Sequence, residues 1–146
     1  MRLQDIMNRS VETVAPSDSL VMANELMWRK RIHHLVVLEG SRVVGVISDT
    51  DLGGPNAQDI PDDRKVSDFM TASVVSGKPD MTVDRAINIF RERRLNCLPV
   101  LEGEKLVGIV TSSDIENLAK RGTSNRRYTG ESIGPYPPLN PIRDND

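Results

Sequence analysis

Aromatic residues are scarce in this chain: one Trp, two Tyr and two Phe among 146 residues. Any core must therefore be aliphatic, built from Val, Ile, Leu and Met. There is one cysteine, Cys97, so no internal disulfide can form, which fits a reducing compartment and a cytoplasmic location. Charge of one sign is also missing. The 19 basic and 21 acidic residues leave a formal net charge of −2, whereas a general binder of nucleic acid or of an anionic membrane usually carries a basic excess. No apolar run approaches the ~18 residues of a membrane span, and the N-terminus lacks a signal-peptide layout. No nucleophile–base–orienter set is visible. There are two histidines, no Gly-x-Ser-x-Gly and no Walker loop, so an enzyme is not expected.

What the chain does have is a repeat. Shifted by 63 positions, one half lies on the other without a gap. Asp5-Ile6-Met7 falls on Asp68-Phe69-Met70, Pro16 on Pro79 and Ala23 on Ala86. Leu35-Val36-Val37-Leu38-Glu39-Gly40 falls on Leu98-Pro99-Val100-Leu101-Glu102-Gly103, and Gly45 to Asp51 on Gly108 to Asp114. A period this long means that each copy is one supersecondary unit that buries its apolar face against a neighbour. The expected domains are residues 1–60 (first repeat with linker), 61–121 (second repeat) and a Pro-rich tail, 122–146.

Each copy reads the same way. A short apolar-alternating stretch (Val11 to Val14, Val74 to Ser76) precedes Pro16 or Pro79 and a helix. Ser17 or Ser19 can cap the first helix, and its stripe is Leu20, Ala23, Leu26 and Met27; the second has Val83, Ala86, Ile87 and Phe90. Cations close both helices: Arg29-Lys30-Arg31, and Arg91 with Arg93-Arg94. A hairpin follows in each copy, Leu35–Leu38 with Val43–Ile47 and Leu98–Leu101 with Leu106–Val110. These runs are nearly all apolar, as in a sheet covered on both faces. A second helix follows Thr111. After Ser48 it is cut short by Gly53-Gly54-Pro55, and the chain to about Lys65 reads as a linker. The tail, with Pro135-Tyr136-Pro137-Pro138 and Pro141, reads as solvated or as a polyproline-type docking segment.

Two β-α-β-β-α copies with these marks resemble the cystathionine-β-synthase (CBS) domain family, paired as a Bateman module. The marks are Asp5-Ile6-Met7, Pro16, Leu98-Pro99-Val100 and, most specifically, Gly-aliphatic-aliphatic-Ser/Thr-x-x-Asp at Gly45–Asp51 and again at Gly108–Asp114. The resemblance covers about residues 1–121. It implies an α+β fold of two repeats about a pseudo-twofold axis, with two clefts. It also implies regulation by an adenosine ligand (AMP, ADP, ATP or S-adenosylmethionine) in place of catalysis.

Ser48-x-x-Asp51 and Thr111-x-x-Asp114 fit a helix cap, the carboxylate reaching back to the cap amide. The same carboxylate can accept bonds from the vicinal hydroxyls of a ribose, and the resemblance gives Asp51 and Asp114 that role, with Thr50 and Ser113 beside them. It also implies that residues before the second strand face the phosphate of the ligand whose ribose Asp comes from the other copy. Asp114 and Thr111 are thus expected to share a cleft with Arg31, His33 and His34, walled by Met7, Asn8 and Val11. Asp51 and Ser48 are expected to share one with Arg94, Asn96 and Cys97, walled by Met70, Thr71 and Val74. The first cleft is the more cationic and is expected to prefer phosphate. Adjacent histidines alone make a poor metal site, and Cys97 beside a strand reads as an inert structural thiol. Met22, Met27, Ile87 and Phe90 on edge helices suggest a homodimer. The regulated protein is unknown. The alternatives are a ligand-free structural or dimerisation module, and a nucleic-acid module using Arg85, Arg91, Arg93, Arg94, Arg126 and Arg127.

Overall fold

The structure, a computed structural model, describes residues 1–52, 60 and 62–123. The Gly53-Gly54-Pro55 break, Arg126-Arg127 and the Pro-rich segment lie outside the described residues. The elements are α1 (Leu3–Ile6), β1 (Thr13–Val14), α2 (Leu20–Lys30), β2 (His34–Glu39), β3 (Arg42–Ser48), a 3-10 turn (Asp49–Leu52), α3 (Val66–Phe69), α4 (Val83–Arg93), β4 (Cys97–Glu102), β5 (Lys105–Thr111) and α5 (Ser112–Thr123). The α+β class and the two repeats expected from the sequence are both present. Both hairpins extend at least one residue further at each end than the apolar runs.

Local chemistry explains the element ends. Ser19, the second of the two candidate caps, takes the Met22 amide on its hydroxyl at 3.0 Å, and Thr82 takes the Arg85 amide at 3.2 Å. Such caps satisfy amides that the first helical turn leaves over. At the other end, Arg31 and Arg94 adopt left-handed conformations, φ 56° and 54°. The next amide, Ile32 or Leu95, turns back to the Met27 or Phe90 carbonyl at 3.0 Å. This is the helix stop that usually selects glycine, because a side chain there is strained. The hairpin turns follow the rule that the arginines break: Gly40 and Gly103 supply φ 67° and 66°.

The chain divides into two compact units that do not follow the repeat boundaries. Among the described residues, one holds Met1–Arg9, Ser76–Leu101 and those from Val107 to Thr123; the other holds those within Ser10–Val75, with Glu102–Leu106. The short helix at the head of each repeat thus belongs with the other repeat's hairpin. In the first unit, the Leu3 and Gln4 amides bond the Met81 and Pro79 carbonyls, both at 2.9 Å, and Asn8 exchanges backbone bonds with Ile109 at 2.9 and 3.0 Å. In the second, Val66 and Ser67 bond Asp18 and Pro16 at 2.9 and 3.0 Å, and Thr71 exchanges bonds with Val46 at 2.8 and 3.1 Å.

In the second unit β1 runs parallel to β2, and β2 antiparallel to β3. Its core is Val14, Leu20, Ala23, Met27, Leu35, Val37, Ile47, Leu52 and Val66. In the first unit the counterpart of β1 shrinks to one parallel bridge, Gly77 to Val100. Gly77 stands where the other copy has Val14, and a Cβ there would lie 2.8 Å from Leu3 and 3.0 Å from Leu98. Leucine side chains occupy the space that the valine fills in the other repeat. Met27 and Phe90, expected among the exposed residues of edge helices, are buried (2% and 1% exposed) because both lie on the inward stripe, whereas Met22 is exposed.

Candidate functional site

The Ser/Thr-x-x-Asp segments sit where β3 and β5 end. Asp114 Oδ2 accepts the Thr111 amide at 2.8 Å and the Thr111 hydroxyl at 3.1 Å. The Thr111 hydroxyl oxygen lies 3.4 Å from the Asp114 amide, which donates to it. Asp51 Oδ2 accepts the Ser48 amide at 2.8 Å and the Ser48 hydroxyl at 3.2 Å, and the Ser48 and Thr50 hydroxyls lie 2.8 Å apart. The cap geometry is therefore real in both copies. It uses only one oxygen: among the described residues, Oδ1 of neither aspartate has a hydrogen-bond partner. A carboxylate with two oxygens can cap a helix with one and receive donors on the other.

The two aspartates differ in setting. Asp51 is exposed, and Asp114 is partly buried. Burial pushes the Asp114 carboxyl above its ordinary value, and the two bonds from Thr111, which pull it down, do not cancel the rise. A cap alone is favourable near a helix N-terminus and gains nothing from desolvation. Burying this carboxylate opposes the electrostatics of a simple cap.

Met7 and Asn8 lie along β5 in the unit of Asp114. A Cβ on Gly108 would meet Met7 Sδ at 2.5 Å and Cγ at 2.8 Å, so the glycine gives the methionine its seat. Met70 and Thr71 lie along β3 in the unit of Asp51. A Cβ on Gly45 would meet Met70 Sδ at 2.6 Å and the Thr71 carbonyl at 3.0 Å. Thr111, Ser113, Asp114, Met7 and Asn8 belong to one unit together with Arg94, Asn96 and Cys97. Ser48, Thr50, Asp51, Met70, Thr71 and Val74 belong to the other with Arg31, His33, His34 and Val11. Cys97 is buried, as expected of a structural thiol.

One pair was not foreseen. His33 Nδ1 bonds Asp49 Oδ2, and the Asp49 amide bonds the His33 carbonyl at 3.0 Å. The second copy keeps the backbone bond, Ser112 to Asn96 at 2.9 Å, but has no acid or imidazole there. Asp49 was hidden in the sequence as an unspecified position of the Ser-x-x-Asp motif. Among the described residues no group of three or more His, Cys, Asp or Glu side chains is placed to hold a metal ion. Among them, too, no helix is long and apolar enough to cross a membrane.

Arg31 and Arg94 are exposed at strained left-handed positions that a glycine would fill without cost. A repeated outlier of this kind points to a use for the side chain. Arg31→Gly is expected to raise stability by about 1 kcal/mol in denaturant unfolding while lowering affinity for a phosphorylated ligand. A variant that is less stable, or that binds unchanged, contradicts this reading.

Comparison with known proteins agrees with the geometry. The CBS domain model matches residues 3–52 and 66–120. Inosine-5'-monophosphate dehydrogenase of Thermoplasma acidophilum is 28% identical over 141 residues, covering 92% of this chain. The chain spans only 28% of that enzyme's length. The CBS domain pair of protein MJ0100, solved with 5'-methylthioadenosine and S-adenosyl-L-methionine, superposes with a TM-score of 0.74 at 26% identity, covering 84% of this chain and 98% of that one. CBSX2 in complex with AMP superposes with a TM-score of 0.71 at 25% identity, with the same coverage of 84% and 98%. The chain belongs to the CBS domain family and carries two copies of the domain.

Proposed function

We propose that this CBS pair is a regulatory module that binds an adenosine ligand, either AMP, ADP, ATP or S-adenosylmethionine, and acts as a homodimer on a partner protein. Asp114 and Asp51 take the ribose hydroxyls. Arg31, His34 and Arg94 are the candidate phosphate-facing groups, with His33 held by Asp49. Met7 and Met70 offer apolar walls to the base, with Asn8 and Thr71 beside them bonded along β5 and β3. The observation that carries this reading is the pair of aspartates that cap with Oδ2 and keep Oδ1 unpaired among the described residues. Partial burial of Asp114 adds to it. Support also comes from two similar structures, one solved with AMP and the other with S-adenosylmethionine and 5'-methylthioadenosine.

A thermal-shift panel of AMP, ADP, ATP and S-adenosylmethionine tests the reading. A ligand at a hundredfold its Kd stabilises the folded state by about 2.7 kcal/mol, a shift of several degrees. The expected result is such a shift with at least one of the four. No shift with any of them at millimolar concentration favours the ligand-free alternative, for which the observed caps are the whole purpose of the motif.

A further inference from the structure

Among the described residues Asp49 is the single buried charged side chain, 8% exposed. Burying a carboxylate is costly unless a strong partner meets it. His33 is that partner, through Nδ1 on Asp49 Oδ2. A carboxylate only accepts, so Nδ1 carries the proton. Nε2 of the same ring is buried. His33 therefore offers neither ring nitrogen to an incoming phosphate.

The second repeat does without the pair. Sixty-three positions on stand Asn96 and Ser112, which keep the backbone bond at 2.9 Å, against 3.0 Å in the first repeat. The copies differ in the element that follows. Ser112 begins α5, twelve residues long, with Asp114 in its first turn. Asp49 begins a 3-10 turn of four residues, on which Asp51 is exposed. Such a turn has poorer hydrogen-bond geometry than an α-helix, so it supports Asp51 less well than α5 supports Asp114. Leu52 anchors the turn on its apolar side, as Ile115 does in the other copy. The bonds from Ser48 tie Asp51 only to its own strand end.

We propose that His33 and Asp49 are positioning residues: their bond braces the turn that carries Asp51 against the segment before β2, and so holds Asp51 where it reads a ribose. Neither residue touches the ligand. The pair gives the first repeat the stiffness that a helix of more than three turns gives the second. The proposal rests on the reading of Asp51 as a ribose contact and says what keeps that contact in place. Apolar residues of similar size often serve stability as well as a buried polar or charged pair, so stability alone does not call for this one.

The test is calorimetric titration of the full chain with AMP and with 2'-deoxy-AMP in an Asp114→Ala background, which leaves Asp51 as the proposed ribose contact. That protein is expected to bind AMP about 10-fold more tightly than 2'-deoxy-AMP, a hydrogen bond's worth. His33→Asn/Asp49→Ser gives the first repeat the residues with which the second repeat folds. Added to Asp114→Ala, this exchange should cut the preference for AMP to less than ~3-fold, and Asp49→Ala alone should do the same. A mere loss of folded protein would weaken both nucleotides by one factor and leave their ratio unchanged. In an Asp114→Ala/Asp51→Ala protein the exchange should change neither affinity, because the pair acts through Asp51. A preference that survives both the exchange and Asp49→Ala, or a further loss of affinity once Asp51 is gone, overturns the brace and leaves the ribose reading standing. No AMP binding, or no preference for AMP, in the Asp114→Ala protein itself overturns both.

Discussion

Asp114→Ala is expected to weaken AMP binding by about 2–3 kcal/mol, the scale of hydrogen bonds to a charged group, or roughly 30- to 150-fold. Asp114→Asn should lose part of that. The pH dependence has a defined sign. Ribose hydroxyls donate to the ionised carboxylate, and burial holds the ligand-free Asp114 carboxyl above its ordinary value. Affinity should therefore be level above that raised value and fall as pH drops through it. In the ligand-free protein the linkage runs the other way. The folded pKa lies above the unfolded one, so ionised Asp114 costs stability at neutral pH. That cost is absent below the unfolded value near ~3.9, grows as pH rises from there and is complete once pH has risen through the folded value. Asp114→Asn keeps an oxygen to cap the helix and removes the charge. It should leave the ligand-free protein at least as stable as wild type at pH 7 while impairing binding. Denaturant unfolding that shows the Asn variant losing 1 kcal/mol or more, the worth of a cap, would mean that capping is the aspartate's main task.

Gly108→Val is expected to destabilise the protein by about 2–3 kcal/mol, at the upper end of overpacking. The first added carbon would lie 2.5 Å from Met7 Sδ, and Met7 is buried. Relief requires the buried Met7 side chain, whose Sδ, Cγ and Cβ all crowd the position, to leave its seat on Gly108. Ligand affinity should fall with stability, since that side chain is a proposed wall for the base. Met7→Ala in the Gly108→Val background should recover part of the loss. Gly103 offers a control: nothing lies within 4 Å of its Cβ position, but its φ is +66°, so Gly103→Ala should cost only about 1 kcal/mol through strain. Equal stability of Gly108→Val and wild type in urea unfolding would contradict the packing described here.

Much of the fold was legible because local rules and the repeat agree. The apolar runs of the hairpins, the glycines at their turns and the Ser19 cap are short-range features, and the 63-residue offset shows each of them twice. What escaped is what depends on partners distant in sequence. Leu3 and Val66 carry no mark saying that each packs with the other repeat's hairpin. Gly77 reads as a weak strand end until Leu3 and Leu98 are seen filling its missing side chain. Arg31 and Arg94 read as favourable cations at a helix end, and only their backbone angles reveal the strain. Met27 and Phe90 read as exposed residues of edge helices because an apolar stripe does not say how wide its buried part is. At the candidate site, Asp51 and Asp114 stood out by motif. Asp49, sixteen residues from His33, had no spacing rule to reveal it.

The central claim, that Asp114 reads a ribose, is tested most directly by calorimetric titration of wild type and Asp114→Ala with AMP and with 2'-deoxy-AMP. The account predicts that wild type binds 2'-deoxy-AMP at least ~10-fold more weakly than AMP, a hydrogen bond's worth. In an Asp51→Ala background, which removes the second proposed ribose contact, Asp114→Ala should bind the two nucleotides equally, since the groups that tell them apart are gone. The same deoxy penalty in wild type and in that double variant would contradict the claim and place the ribose contact elsewhere.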